Sequence, residues 1–232
     1  MKLVATGSSV IGPAHQQDDT PNQDAVLVQG YRQGWCIAVC DGLGSRALSH
    51  QGSRLAGHLV RSTVRKWQHT EPSSLSISQQ IQQQWVNKLG KDYSSYETTC
   101  LWAWADAQGQ VKAAQVGDGL LLARCNGQFS VITPERDGFG NQTQTLARAG
   151  NDDWSTIECT LTIAGDGVLL MTDGISDDLL PEQLEAFFET IFQQLKNSNK
   201  RRCKRWLTQE LIDWSTPKHG DDKSIAGIFK VE

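Results

Sequence analysis

The aspartates of this sequence recur beside glycine, at points where short apolar runs stop or start. Asp41-Gly42 follows the run 35–40, Asp118 stands between Gly117 and Gly119, and Asp173-Gly174 follows the run 168–172. Asp24 opens one further apolar run, and Asp221 and Asp222 stand just before another. A glycine next to a carboxylate lets the backbone turn sharply and approach an ion closely, and strand ends gather at one rim of a packed sheet. Carboxylates gathered there repel one another unless cations sit among them, and hard divalent ions such as Mg2+ and Mn2+ take oxygen ligands. The set therefore points to a divalent-metal site, although a single Asp-Gly pair more often does no more than turn the chain.

Periodicity indicates the elements that must position these aspartates. The runs 24–29 and 35–40 flank Gly30 to Gly34 and predict a hairpin. After the turn Asp41-Gly42-Leu43-Gly44-Ser45, a long amphipathic helix is expected over 47–67, where Ala56, Leu59, Val60, Val64 and Trp67 recur at three- and four-residue steps. A Ser- and Gln-rich connection leads to a second helix over 77–89. The runs 98–105, 111–116, 120–125 and 128–132 read as an antiparallel meander, with Asn126-Gly127 its strongest turn signal. Residues 134–156 are polar, hold Gly138, Gly140 and Gly150, and read as a surface excursion. A buried strand at 168–172, helices at 183–195 and about 203–214, and a terminal strand at 224–231 follow. This order is not a regular βαβα alternation. It predicts an α+β fold, an α-β-β-α sandwich with two central antiparallel sheets flanked by helices.

With 232 residues, 38% of them hydrophobic and 21% charged, the chain has enough for one substantial core. A single domain over 1–232 is expected, with a short flap at about 134–156. The net charge of −4 argues against a nucleic-acid partner, and the run Lys200, Arg201, Arg202, Lys204, Arg205 reads as a solvated helix start. No stretch approaches the length of apolar sequence that spans a bilayer, so a cytoplasmic, membrane-free protein is expected. The six cysteines form no Cys-x-x-Cys pair and read as reduced thiols, Cys36 and Cys40 sharing one strand face. The eight tryptophans read as core, with Trp102 and Trp104 on one strand face expected to help join the sheets.

Taken in order, Asn22-Gln23-Asp24-Ala25, Asp41-Gly42-Leu43-Gly44, Thr98-Thr99, Val116-Gly117-Asp118-Gly119, Thr172-Asp173-Gly174-Ile175-Ser176-Asp177 and Asp221-Asp222-Lys223-Ser224 resemble the successive signatures of the type 2C metal-dependent protein phosphatases, the PPM family. The resemblance covers nearly the whole chain, and His15 followed by Pro21-Asn22-Gln23-Asp24 is similar to a bacterial subgroup. It implies hydrolysis of phosphoserine and phosphothreonine in proteins by a metal-activated water, with two Mn2+ or Mg2+ ions and a third in some members. By the same resemblance Asp41 bridges both metals, the Gly42 carbonyl adds a ligand, Asp173 and Asp221 complete the first metal's shell, and Asp24 stands close by. Asp118, Asp173 and Asp177 match the third site. A phosphorylated protein substrate, an opposing Ser/Thr kinase and a monomeric state are the implied associations, and no phosphoenzyme or cysteine nucleophile is expected.

Three departures stand out. Gln23 replaces the Glu usual before the opening Asp. The arginine that usually binds the substrate phosphate is missing, since residues 18–20 are Asp-Asp-Thr; His15 is the nearest candidate for a phosphate or general-acid role, with a structural role as the alternative. Ser45 breaks the usual glycine pair. Arg46, Arg136 and Arg148 could face a phosphopeptide but read better as solvated. The alternative functions are a pseudophosphatase that binds a phosphorylated partner, which the presence of Asp41, Asp173 and Asp221 disfavours, and another carboxylate-metal phosphohydrolase.

Overall fold

The computed structural model describes residues 2–67, 72–134, 144–214 and 220–232. Its strands are β1 (Leu3–Val10), β2 (Ala25–Tyr31), β3 (Gly34–Cys40), β4 (Cys100–Asp106), β5 (Gln110–Val116), β6 (Leu120–Cys125), β7 (Gln128–Val131), β8 (Ser155–Thr160), β9 (Gly167–Met171) and β10 (Lys223–Lys230). Its helices are α1 (Pro13–Gln17), α2 (Ser49–Trp67), α3 (Ser74–Leu89), α4 (Asp173–Ser176), α5 (Leu184–Asn197) and α6 (Lys200–Asp213).

Alternation along the strands decides the layers. In β3, Cys36, Ala38 and Cys40 pack with Ala56, Leu59 and Val60 of α2 and Ile81 and Trp85 of α3. The intervening Ile37 and Val39 face the other way, onto Leu121, Val168, Leu170, Ala226 and Ile228. The opposite faces of β9 and β10 pack on α5 and α6 through Phe188, Phe192, Leu207 and Leu211. The result is a helix–sheet–sheet–helix sandwich of two antiparallel sheets, ordered β1-β10-β9-β6-β7 and β2-β3-β4-β5-β8, as the sequence predicts.

The meander is corrected. β4 and β5 pair in one sheet while β6 and β7 pair in the other, so Gly117-Asp118-Gly119 is a crossover between sheets, not a hairpin turn. Gly117 has φ of 112°, and a Cβ there would come 2.4 Å from Thr99 Cγ2, which is why the crossover needs glycine. Asn126 and Gly127 do form the tight turn, with φ of 53° and 75°.

The sequence carries little signal for β1, whose buried centre is Ala5, Thr6, Gly7 and Ser8. A small residue is required at Gly7 because the strand lies close against the second sheet: a Cβ there would sit 2.8 Å from Val28 Cγ2, and 2.9 Å from the Ile225 carbonyl of its own sheet, whereas Ser8 faces α6, its hydroxyl 2.7 Å from that of Thr208. β8 is the second strand without a signal, at the edge beside β5. Of the expected surface excursion, Arg136, Gly138 and Gly140 lie outside the described residues. Its part from 144 onwards buries Leu146 and Trp154 among the residues under α2 and α3, so that part is packed. Trp102 and Trp104 also point to this helix side and not between the sheets, with Trp102 Nε1 donating to Ser78 Oγ at 3.0 Å. Cys36, Cys40, Cys100 and Cys203 are buried free thiols, whereas Cys125 and Cys159 are joined in a disulfide, contrary to expectation.

Candidate metal centre

The aspartates come together because the elements that carry them end at the same rim. Asp41 follows β3 and Asp24 precedes β2, the two paired so that Ala25 faces Cys40. Asp173 opens α4 directly after β9, and Asp221 and Asp222 precede β10, which pairs with β9. Asp118 sits in the crossover between sheets.

The backbone around each aspartate is fixed by side chains that the motifs contain. Thr99 Oγ1 accepts from the Asp41 N–H at 2.9 Å, and Thr98 Oγ1 donates to the Asp41 carbonyl at 2.7 Å. Gly42 bridges to Thr98 and its N–H donates to the Gln23 carbonyl at 3.2 Å. A Cβ on Gly42 would lie 2.7 Å from Ser49 backbone, and one on Gly174 would lie 1.9 Å from the Asp222 carbonyl. Both glycines therefore permit close approaches that no other residue allows. The Thr172 hydroxyl donates to Asp24 Oδ2 at 3.0 Å.

The electrostatics are those of like charges forced together. Burial pushes the Asp24 carboxyl well above its ordinary value, with Asp222 and Asp221 adding to the rise. Burial also raises Asp41, followed by the charges of Asp24, Asp173 and Asp221. Asp173 is raised to about 6, first by burial and then by Asp118, with Asp221 and Asp177 contributing. Asp24, Asp41, Asp118, Asp173, Asp177 and Asp221 thus act on one another as a single cluster, and Asp173 Oδ1 is a buried oxygen without a hydrogen-bond partner among the described residues. Such a set of hard oxygens with a deficit of positive charge suits divalent cations.

Two further residues matter here that the sequence places in the last motif without a role at the site. Asp222 is buried, and its carboxylate accepts from the Gly12 N–H at 2.7 Å and the Gln23 N–H at 2.6 Å. His15, on α1, brings Nδ1 to 2.9 Å from Asp222 Oδ2; His15, Asp221 and Asp222 offer ligand atoms within 4.8 Å of one another. Asp222 therefore ties the N-terminal segment, the start of β2 and the start of β10 into one unit. Lys223, also buried, donates from Nζ to the Asp221 carbonyl at 3.3 Å. Burial lowers its pKa while Asp178, Asp221, Asp222 and Asp24 oppose that shift, so it offsets part of the negative charge. The sequence signal for both was their place beside Asp221 in the last motif.

Beside the cluster, Arg46 Nε and Arg148 Nε reach the buried Glu97 at 2.8 and 2.6 Å. They are pinned ion-pair partners and not freely solvated, and they tie the loop after Asp41 to residues 144–150. One Cys-x5-Arg spacing does occur, Cys40 to Arg46. It is not a phosphate loop with a thiolate nucleophile: Cys40 is fully buried, and its thiol is pushed well up, first by its hydrogen bond with Cys100 and then by burial.

Comparison with known proteins decides the family, since the model of protein phosphatase 2C matches residues 11–212. The chain belongs to the protein phosphatase 2C family. No curated protein matches this family member in sequence. Among solved structures, the phosphatase 2C sandwich described above is similar to the catalytic domain of the serine/threonine protein phosphatase PstP in complex with two manganese ions, with 19% identity, 99% of each chain covered and a TM-score of 0.63. It is similar to RsbX in complex with magnesium, with 16% identity, 98% of this chain and 96% of that chain covered and a TM-score of 0.63. A bacterial serine phosphatase covers 100% of this chain and 99% of its own at 17% identity and a TM-score of 0.66. At such identities these likenesses speak to the fold.

Proposed function

We propose that this phosphatase 2C domain, spanning the whole chain, hydrolyses phosphoserine and phosphothreonine in proteins with Mn2+ or Mg2+. The observation that carries the reading is the convergence of carboxylates from both sheets on one rim, raised in pKa first by burial and then by one another, with one buried oxygen that has no hydrogen-bond partner among the described residues. Manganese and magnesium in the PstP and RsbX structures agree with it. Asp41, Asp173 and Asp221 with the Gly42 carbonyl would hold two ions, Asp24 would stand beside them, and Asp118, Asp173 and Asp177 would hold a third. When bound, such ions neutralise the phosphoryl oxygens and make a water nucleophilic at neutral pH.

The chain's own residues set the geometry. Thr98 and Thr99 fix the Asp41 backbone, Thr172 orients Asp24, and the Asp222 carboxylate lies 2.9 Å from His15 Nδ1 without hydrogen-bond alignment, while Nε2 would be the ring nitrogen offered to a phosphate oxygen. His15 would thus take the place of the missing arginine. No helix among the described residues is long and apolar enough to cross a membrane. Four buried free thiols suit a reducing compartment, with the Cys125–Cys159 pair the exception, which supports a cytoplasmic location; a monomeric enzyme opposing a Ser/Thr kinase is the reading that family membership suggests.

The test is phosphate release from a phosphothreonine peptide in Mn2+, in Mg2+ and in EDTA. Activity in either ion that EDTA abolishes and added metal restores is the expected result. Binding of the phosphopeptide without turnover in any metal would replace it with the pseudophosphatase reading.

A further inference from the structure

Between Gly42 and Lys91 the sequence holds seven lysines and arginines and a single acidic residue, Glu71, in a chain with 26 acidic residues overall. Within this stretch lie α2 and α3. On α2, His50, Arg54, His58, Arg61 and Arg65 recur at steps of three and four residues, so they form one stripe. From Arg54 to Lys66 its basic side chains are exposed. The buried face of the same helix carries Ala56, Leu59, Val60 and Val64.

A merely solvated helix face mixes its signs, because like charges one turn apart weaken a helix and opposite ones support it. Here no acidic residue lies in the first turn of α2, and no salt bridge reaches Arg54, Arg61 or Arg65 among the described residues. Arg65 and Lys66 do suit the C-terminal dipole of α2, but Arg54 and His58 in mid-helix gain nothing from it. The stripe also borders a groove of about 660 Å³, where Gln29 and Tyr31 of the edge strand β2 face His58, Arg61 and Arg65. The Tyr31 hydroxyl donates to the Arg61 carbonyl at 3.0 Å, which fixes the groove wall.

We propose that the exposed face of α2, with its groove against β2, is a docking surface for a carboxylate-rich segment of a partner protein. From Arg54 to Arg65 the helix rises by about 16 Å, the length of roughly five extended residues, so a short acidic segment spans it. A nucleic acid fits less well. A long polyanion would continue past the stripe onto a chain whose net charge is −4 despite this basic layer. The proposal is independent of the catalytic reading, since none of its residues belongs to the metal centre.

Fluorescence anisotropy of a labelled Glu/Asp-rich peptide tests it, beside its Gln/Asn counterpart and a single-stranded oligonucleotide of equal charge. The expected result is salt-sensitive binding of the acidic peptide, weakened about 10-fold or more in Arg61→Glu/Arg65→Glu. Arg54→Gln/Arg61→Gln, a milder change, should weaken it less, and both variants should hydrolyse a small aryl phosphate as the wild type does. Equal binding of the acidic and neutral peptides, unchanged affinity in the charge-reversed variant, or tighter binding of the oligonucleotide would overturn the proposal. Loss of phosphatase activity with peptide binding intact would bear on the catalytic reading alone.

Discussion

Asp173 is raised to about 6, chiefly by burial and next by Asp118, and this sets a sign for its stability contribution. A carboxyl whose folded pKa lies above the ordinary 3.8 favours the fold while protonated, and that contribution is lost as pH rises towards 6. In EDTA, Asp173→Asn should therefore melt like the wild type near pH 4 but higher, by about 2–4 °C, above pH 6. With Mn2+ at neutral pH the order should reverse, because the variant lacks a carboxylate that is proposed to hold the metal. Calorimetric melting across pH with and without Mn2+ measures both. Asp222 makes a second residue-level case. It accepts two backbone N–H groups and lies 2.9 Å from His15 Nδ1, so Asp222→Asn should weaken Mn2+ binding by about 10–100-fold. The sequence made both Asp221 and Asp222 conspicuous through the motif but gave no role for Asp222, since its neighbours Gly12, His15 and Gln23 lie some two hundred positions away along the chain.

At the scale of elements, the strand ends are what the sequence conveyed best. β2, β3, β9 and β10 carry β-branched and apolar runs closed by Asp or Gly, and each was expected within a residue or two of where it lies. β1 was not legible, because close packing on Val26 and Val28 demands glycine at position 7, and the helix-facing Ser8 hydrogen-bonds with Thr208, where a strand pattern would show Val or Ile. The split of β4 to β7 between two sheets was not legible either. A turn sequence gives the reversal, but not whether the next strand stays in its sheet. The junction of β9, α4 and β10 carries a prediction. A Cβ at Gly174 would stand 1.9 Å from the Asp222 carbonyl, so Gly174→Ala should push β10 from α4, cost about 1–3 kcal/mol in urea denaturation and lower metal affinity with every ligand still present. Asp166 is the contrast at the far end. It is buried and accepts from the N–H groups of Asn126, Gly127, Thr162 and Ile163. Asp166→Ala should cost stability on the same scale or more, yet leave the metal affinity of the folded protein unchanged.

For the whole molecule, the sandwich explains how a chain of net charge −4 can gather its carboxylates at one rim. Three apolar layers, one between the sheets and one under each helix pair, hold the strand ends in place against the repulsion. The exposed basic residues of α2 and of α6 are opposite in sign to the rim and lie on the outer surfaces of the two helix layers, so charge is segregated as structure is layered. Neither feature follows from net charge, which averages the two. The central claim is that the aspartate rim is a divalent-cation centre built around Asp41. Titration calorimetry of Mn2+ into the metal-free protein at neutral pH tests it most directly, with Asp41→Asn alongside. The account predicts at least two ions per wild-type chain and loss of tight binding in the variant. A wild type that binds no Mn2+, or a variant that binds as the wild type does, would contradict it.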